Sequence, residues 1–203
     1  QSCFPYEAPV ATSSAFQSLA SSGTLLTLTN LDDGVIQVQL TRPLELFGAS
    51  ISTLTIGANG GILPYGATSF TFSNKSTPSG GSSPTFVIAP FWDDLHGGRN
   101  ASSRLYWQQA TNGEVTVSWE DWSLFSANAT NPASLNFQAV ISANGNIEFR
   151  YGAMTGTGTV AAAAMGAGAT IWVDIGAAAA PFSINAPNVP QNAGILYRSP
   201  LNP

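Results

Sequence analysis

Apolar residues recur at every second position through most of this chain, and no long stretch carries the 3.6-residue spacing of an amphipathic helix. Ile36, Val38 and Leu40 alternate with Gln37 and Gln39 just after the turn signal Asp32-Asp33-Gly34. Leu54 and Ile56 alternate with Thr53 and Thr55. Val115, Val117 and Trp119 alternate with Glu114, Thr116 and Ser118, entered through Asn112-Gly113. Leu135, Phe137, Ala139 and Ile141 share one face, and Asn144-Gly145 turns the chain into Ile147, Phe149 and Tyr151. Ile171, Val173 and Ile175 mark a last clear strand. Residues 85–91 are apolar almost without interruption, as in a strand covered on both faces. Ten or more short strands with Gly, Asn and Pro turns predict an all-β protein, an antiparallel β-sandwich. No repeat of fixed period is present, which argues against propellers and solenoids. Residues 24–199 read as a single domain, preceded by an extended tail (1–23) and followed by a short end (200–203). The segments 73–84 and 152–169 read as insertions or covers.

Composition narrows the function. Charged residues make up 8% of the 203 positions, with six Lys plus Arg, eleven Asp plus Glu, and a net charge of −5. Lys75 is the only lysine. So few cations cannot neutralise a row of phosphates, which excludes nucleic acid as a partner. The same shortage argues against docking on anionic lipid. No apolar run reaches the roughly 18 residues of a spanning helix, so membrane insertion is not expected. The apolar fraction of 44% calls for a packed core. A surface of Ser, Thr, Asn, Gln and Gly points to an extracellular or cell-surface setting, and Gln1 fits a processed N-terminus.

Three stretches together carry a family resemblance. Thr55-Ile56-Gly57-Ala58-Asn59-Gly60-Gly61-Ile62 resembles the strand, Asn-Gly, strand opening of the nidogen-type extracellular (NIDO-like) modules. Ile88-Ala89-Pro90-Phe91-Trp92-Asp93-Asp94-Leu95 is similar to that family's most recognisable segment. Residues 136–152, NFQAVISANGNIEFRYG, resemble its hairpin, and 169–173 its closing strand. The resemblance spans roughly residues 43–175. It implies a β-sandwich module of secreted and surface proteins, used in matrix, adhesion and assembly, and it carries over no catalytic residue.

Candidate chemistry is sparse. A Ser/His/Asp triad would have to use His96, the one histidine, which precedes Gly97-Gly98 and reads as a turn residue. One His and one Cys leave no tetrahedral zinc site of the usual ligands. Cys3 has no basic neighbour to activate it, and is a candidate either for an intermolecular disulfide or for an inert thiol. Asp93 and Asp94 are the best pair for a hard cation such as calcium, with turn capping as the other reading. A carbohydrate-binding module would need Trp122 or Trp172 exposed beside Glu120 and Asp121 in one groove. A glycoside hydrolase, needing only two carboxylates, is a third reading. Sequons at Asn74, Asn100 and Asn128 permit glycosylation.

The N-terminal tail carries the sharpest expectation. Phe4, Tyr6, Ala8 and Val10 alternate with Pro5, Glu7 and Pro9, which places the missing proline donors on one edge. That pattern predicts an edge strand with one apolar face, pairing through its even-numbered residues. It would cover either its own domain or a neighbouring copy by donor-strand complementation, giving a head-to-tail homopolymer. The leading reading is a non-catalytic structural subunit of a surface filament or matrix, without a cofactor unless calcium binds. A monomeric carbohydrate-binding or adhesion module, with surface glycans or matrix proteins as partners, is the alternative.

Overall fold

The computed structural model describes residues 6–78 and 85–200. Thirteen strands follow one another: β1 (Val10–Thr12), β2 (Thr24–Leu26), β3 (Val35–Leu46), β4 (Ala49–Gly57), β5 (Gly61–Pro64), β6 (Val87–Trp92), β7 (Arg104–Gln109), β8 (Val115–Trp122), β9 (Ala133–Ile141), β10 (Ile147–Gly156), β11 (Thr170–Asp174), β12 (Ala179–Ile184) and β13 (Ala193–Tyr197). They form a seven-stranded sheet in the order β1-β13-β10-β9-β8-β7-β2 and a six-stranded sheet in the order β12-β11-β6-β5-β4-β3. Every strand pair is antiparallel, so the expected β-sandwich is the fold. Among the described residues the only helical pieces are a 3₁₀ turn (Gly158–Val160) and one α-turn (Ala161–Ala164) in the segment read as an insertion or cover, 152–169, whose first residues, to Gly156, instead continue β10.

The alternating residues do what their period dictates. Val117, Trp119, Leu135, Phe137, Ile147 and Phe149 from the larger sheet meet Val38, Leu54, Ile56, Ile88 and Ile171 from the smaller in one buried core. The Asn-Gly signals close β8 and β10 hairpins, with Gly113 and Gly145 at φ 95 and 87. Strand β6 is buried along its whole length for a specific reason. Ile88 and Phe91 enter the inter-sheet core, while Val87, Ala89 and Trp92 turn outward. There they join Trp172 beneath Phe70, which arrives from the segment after β5 and forms a second, smaller core. The Phe70 ring lies on the cross-strand pair Gly57 and Gly61, where an added Cβ would come within 2.8 and 2.5 Å of it.

The larger sheet is also covered on its outer face, by residues 13–23. This strap leaves the β1 edge, crosses the sheet and enters β2 at the opposite edge. Strands β10, β9, β8 and β7 hold it in turn. Phe16 N–H donates to Tyr151 O of β10, at 3.2 Å. Gln138 of β9 accepts from Gln17 N–H and donates back to Gln17 O, both at 3.0 Å. Glu120 of β8 accepts from Leu19 N–H and Ser18 Oγ at 2.6 and 2.7 Å. Gln108 of β7 accepts from Ser22 Oγ at 3.0 Å. The segment that reads from sequence as a tail outside the domain is thus laid on it.

Candidate functional site

Two regions collect the residues singled out in the sequence: the N-terminal strand with its strap, and the loop end around Asp93 to Asn100. In the first, Tyr6 is buried, donates its hydroxyl to Gly145 O at 2.6 Å and sets its ring edge-on to Phe47. Burial raises the Tyr6 hydroxyl pKa, so it stays a neutral donor. Strand β1 then pairs with β13 of the same chain in the register Val10 to Leu196, Ala11 to Ile195 and Thr12 to Gly194. Two details of the expectation need correction. Ala8 is exposed and Val10 is 43% exposed, so Tyr6 alone of the described set is an apolar anchor. The odd-numbered Glu7 donates its N–H to Arg198 O, because regular pairing starts only after Pro9 and the predicted parity is broken there. Phe4 and Cys3 lie outside the described residues.

At the loop end, the two stretches that carry most of the resemblance lock each other. Asn59 is fully buried, and its amide donates to Asp33 Oδ1 and Phe70 O at 2.9 and 3.1 Å. Its carbonyl oxygen accepts from Leu95 N–H at 2.9 Å. Gly60 (φ 80) lies so close to β6 that a Cβ there would meet Phe91 O at 1.9 Å. Trp119 and Trp122 donate their indole N–H groups to Gly57 O and Ala58 O, and Tyr151 donates to Pro90 O. These residues are a fold lock, with their polar atoms committed to each other.

Asp93 and Asp94 do different things. Asp93 Oδ1 accepts the Asp94 N–H at 2.8 Å, the capping arrangement, and its carboxylate packs over Gly168. Burial, opposed by that hydrogen bond, pushes the Asp93 pKa up to about 6. Asp94 is also raised, by desolvation and then by the charges of Asp32 and Asp33. Among the described residues no group of three or more His, Cys, Asp or Glu is arranged to hold a metal ion. His96 accepts the Gly98 N–H on Nδ1 at 2.8 Å, a turn-forming role, and its ring faces Phe125.

The raised Asp93 pKa has a consequence for stability. A carboxyl whose folded pKa lies above its unfolded value favours the fold below about pH 4 and loses that contribution as pH rises through about 6. Asp93→Asn keeps an oxygen for the Asp94 N–H and removes the buried charge. We expect it to raise unfolding free energy at pH 7.5 by about 2 kcal/mol and to flatten the pH dependence between about pH 4 and 6.5. Urea titrations across that range check it, and an unchanged midpoint at pH 7.5 would remove Asp93 as the source.

The aromatic platform that a carbohydrate-binding module would need is not formed by Trp122 and Trp172. Trp122 and Trp172 are each 1% exposed. Trp122 faces the core because Asp121 (φ 47) makes a bulge between Trp119 and Trp122, so both rings point inward. Trp172 is covered by the Phe70 segment. Glu120 is committed to the strap, and Asp121 accepts from Ser134 Oγ at 2.5 Å, from Asn100 Nδ2 at 3.2 Å and from Ser102 Oγ. A sheet-spanning side-chain set such as Gln108, Glu120 and Gln138 has no sequence signal beyond outward-facing positions on neighbouring strands.

A family model described as NIDO related matches residues 6–193. No curated protein and no solved structure matches the chain. The match extends past the 43–175 region of the sequence resemblance, taking in Tyr6, the strap and the start of β13. That match, over residues 6–193 of this β-sandwich, places the chain in the NIDO-related family, whose modules are of extracellular type.

Proposed function

We propose that this chain is a non-catalytic structural module that assembles with copies of itself into an extracellular filament or matrix. In that assembly β1 of one copy lies against β13 of the next. The observation that carries the reading is the seating of β1: among the described residues it holds its edge through three residue pairs and one anchor, Tyr6. A strand transferred to a neighbour regains the β13 pairing, so exchange costs the strap contacts of residues 13–23 and is favoured by concentration. Residues 13–23, once lifted, reach about 36 Å as an extended connection.

The sheet edges support the same reading. Both edges of the smaller sheet carry a proline at a register shift, Pro43 in β3 and Pro181 in β12. Gln109 further closes the β3 bulge by accepting from Thr41 and Arg42 N–H and donating to Arg42 O. Proline and bulges are the ordinary guards against edge-to-edge pairing. The larger sheet ends in Val-Ala-Thr and Thr-Leu-Leu, with no charge and no proline, and Val10 and Leu25 are exposed. Tyr6, Asp93, His96, Glu120 and Tyr151 are engaged in packing and capping, which supports a role without catalysis.

The test uses the full chain in a Cys3→Ser background. Val10→Cys with Leu196→Cys joins two residues paired in register, locking β1 to its own β13. Electron microscopy at high concentration should show fibres for the reduced form and single particles for the oxidised form. Fibres of equal yield with the lock closed would overturn strand exchange. Single particles for the unmodified chain would overturn the homopolymer and leave a monomeric binding module.

A further inference from the structure

The three sequons lie in different hydrogen-bonding environments, and only one leaves its amide nitrogen able to accept a substituent. Asn100 is half-buried, and its Nδ2 donates to Asp121 O at 3.0 Å, Asp121 Oδ1 at 3.2 Å and Ala133 O at 2.8 Å. Asn74 Nδ2 spends both hydrogens, on Thr170 Oγ1 at 2.9 Å and Asn185 Oδ1 at 2.8 Å. A sugar on either nitrogen would have to take the place of an acceptor now within 2.8–3.2 Å of it, and would break at least one of these contacts. Modification there removes an Asn100 contact from the Asp121 cluster or an Asn74 contact to Thr170 or Asn185, which disfavours this fold.

Asn128 is built the other way round. It is exposed, as are Ala129 and Thr130, in the connection between β8 and β9. Its Oδ1 accepts the Thr130 and Asn131 N–H groups, both at 2.9 Å, and its own N–H donates to Asn131 O at 3.1 Å. The turn is therefore held by the carbonyl side of the side chain, while Nδ2 points away from it. Beside it lies an open groove of about 410 Å³ lined by Gly98, Arg99, Asn100, Ala127, Ala129 and Pro132. It is roomy enough to receive a first pyranose without displacing a protein group.

We infer that Asn128 is the N-glycan acceptor of this protein and that Asn74 and Asn100 remain bare in the folded chain. The donor is a lipid-linked oligosaccharide pyrophosphate. Asn128 Nδ2 forms a bond to the sugar C1, the C1–O bond to pyrophosphate breaks, and the lipid pyrophosphate leaves while one Nδ2 proton passes to base. No redox partner is needed, and the turn survives because its two hydrogen bonds use Oδ1.

The experiment expresses the full chain in a glycosylating secretory host and maps the folded, secreted protein by intact mass and by peptide-N-glycosidase release in ¹⁸O-water. The expected result is one glycan, with the ¹⁸O-labelled aspartate at 128 and none at 74 or 100. Thr130→Ala keeps the backbone N–H that closes the turn and should abolish the mass increment, while Thr130→Ser should restore it. A folded secreted chain that carries glycan at Asn74 or Asn100, or one bare at Asn128, overturns the assignment.

Discussion

Gly60→Ala should destabilise the fold severely. The residue has φ 80, where an L side chain is strained, but the larger effect is steric. A methyl group there would stand 1.9 Å from Phe91 O and 2.8 Å from Phe91 C, both backbone atoms of a strand buried on both faces. Neither side can yield cheaply, because Asn59 and Leu95 tie the turn to the segment just beyond β6. We expect a loss above about 4 kcal/mol, a large share of the roughly 5–15 kcal/mol that holds a domain of this size together. Gly48→Ala supplies the internal control: it has nearly the same φ, 77, with nothing within 4 Å of the added methyl. It should cost about 1 kcal/mol, the conformational part alone. Thermal unfolding followed by circular dichroism compares the two, and melting of both variants within a few degrees would refute the steric account.

The second large effect is expected at Gly194→Ala, and it is local. An added methyl would meet Thr12 Oγ1 at 2.6 Å, Ser14 O at 2.7 Å and Phe149 O at 2.9 Å. Phe149 belongs to a central strand of the larger sheet, whereas Thr12 and Ser14 belong to an edge strand and its strap, so the latter give way. The sandwich should remain folded with a loss of about 2–3 kcal/mol, and residues 10–19 should become sensitive to protease. Amide hydrogen exchange at Phe16 and Leu19, whose N–H groups are bonded to Tyr151 O and Glu120, reads the release directly. Unchanged protection at those two amides would mean that β13 had moved and the strap had not. If β1 is the exchanging strand, the same variant should swap subunits faster than the unmodified chain.

Where a strand has one face in the core and one outside it, its alternation survives in the sequence. Val115 to Trp119 and Leu135 to Ile141 could therefore be read directly, as could the Asn-Gly turns that join hairpins. Trp122 shows where that reading fails. Counted from Trp119 it falls on the opposite face, and one bulge at Asp121 returns it to the core. No periodicity reports a bulge, since the inserted residue shifts every later side chain by one. The Asp93-Asp94 pair was visible as a pair, but its division into a buried cap and a member of an acidic surface group was not. That division depends on Gly168 and the Asp32-Asp33 turn, both remote in the chain.

The sequence by itself determined the β class, the core-facing residues of most long strands and the turns between them. It also carried the motif pair that marks the family, because all of these are written in neighbours one to four positions apart. Only the tertiary structure decided that residues 13–23 cross the outer face of a sheet. The groups that hold them, Gln108, Glu120 and Gln138, come from three different strands and become a row only when those strands align. The same is true of the choice among three equivalent sequons. Asn74, Asn100 and Asn128 have the same local pattern, and what separates them is whether folding brings distant acceptors to the amide nitrogen.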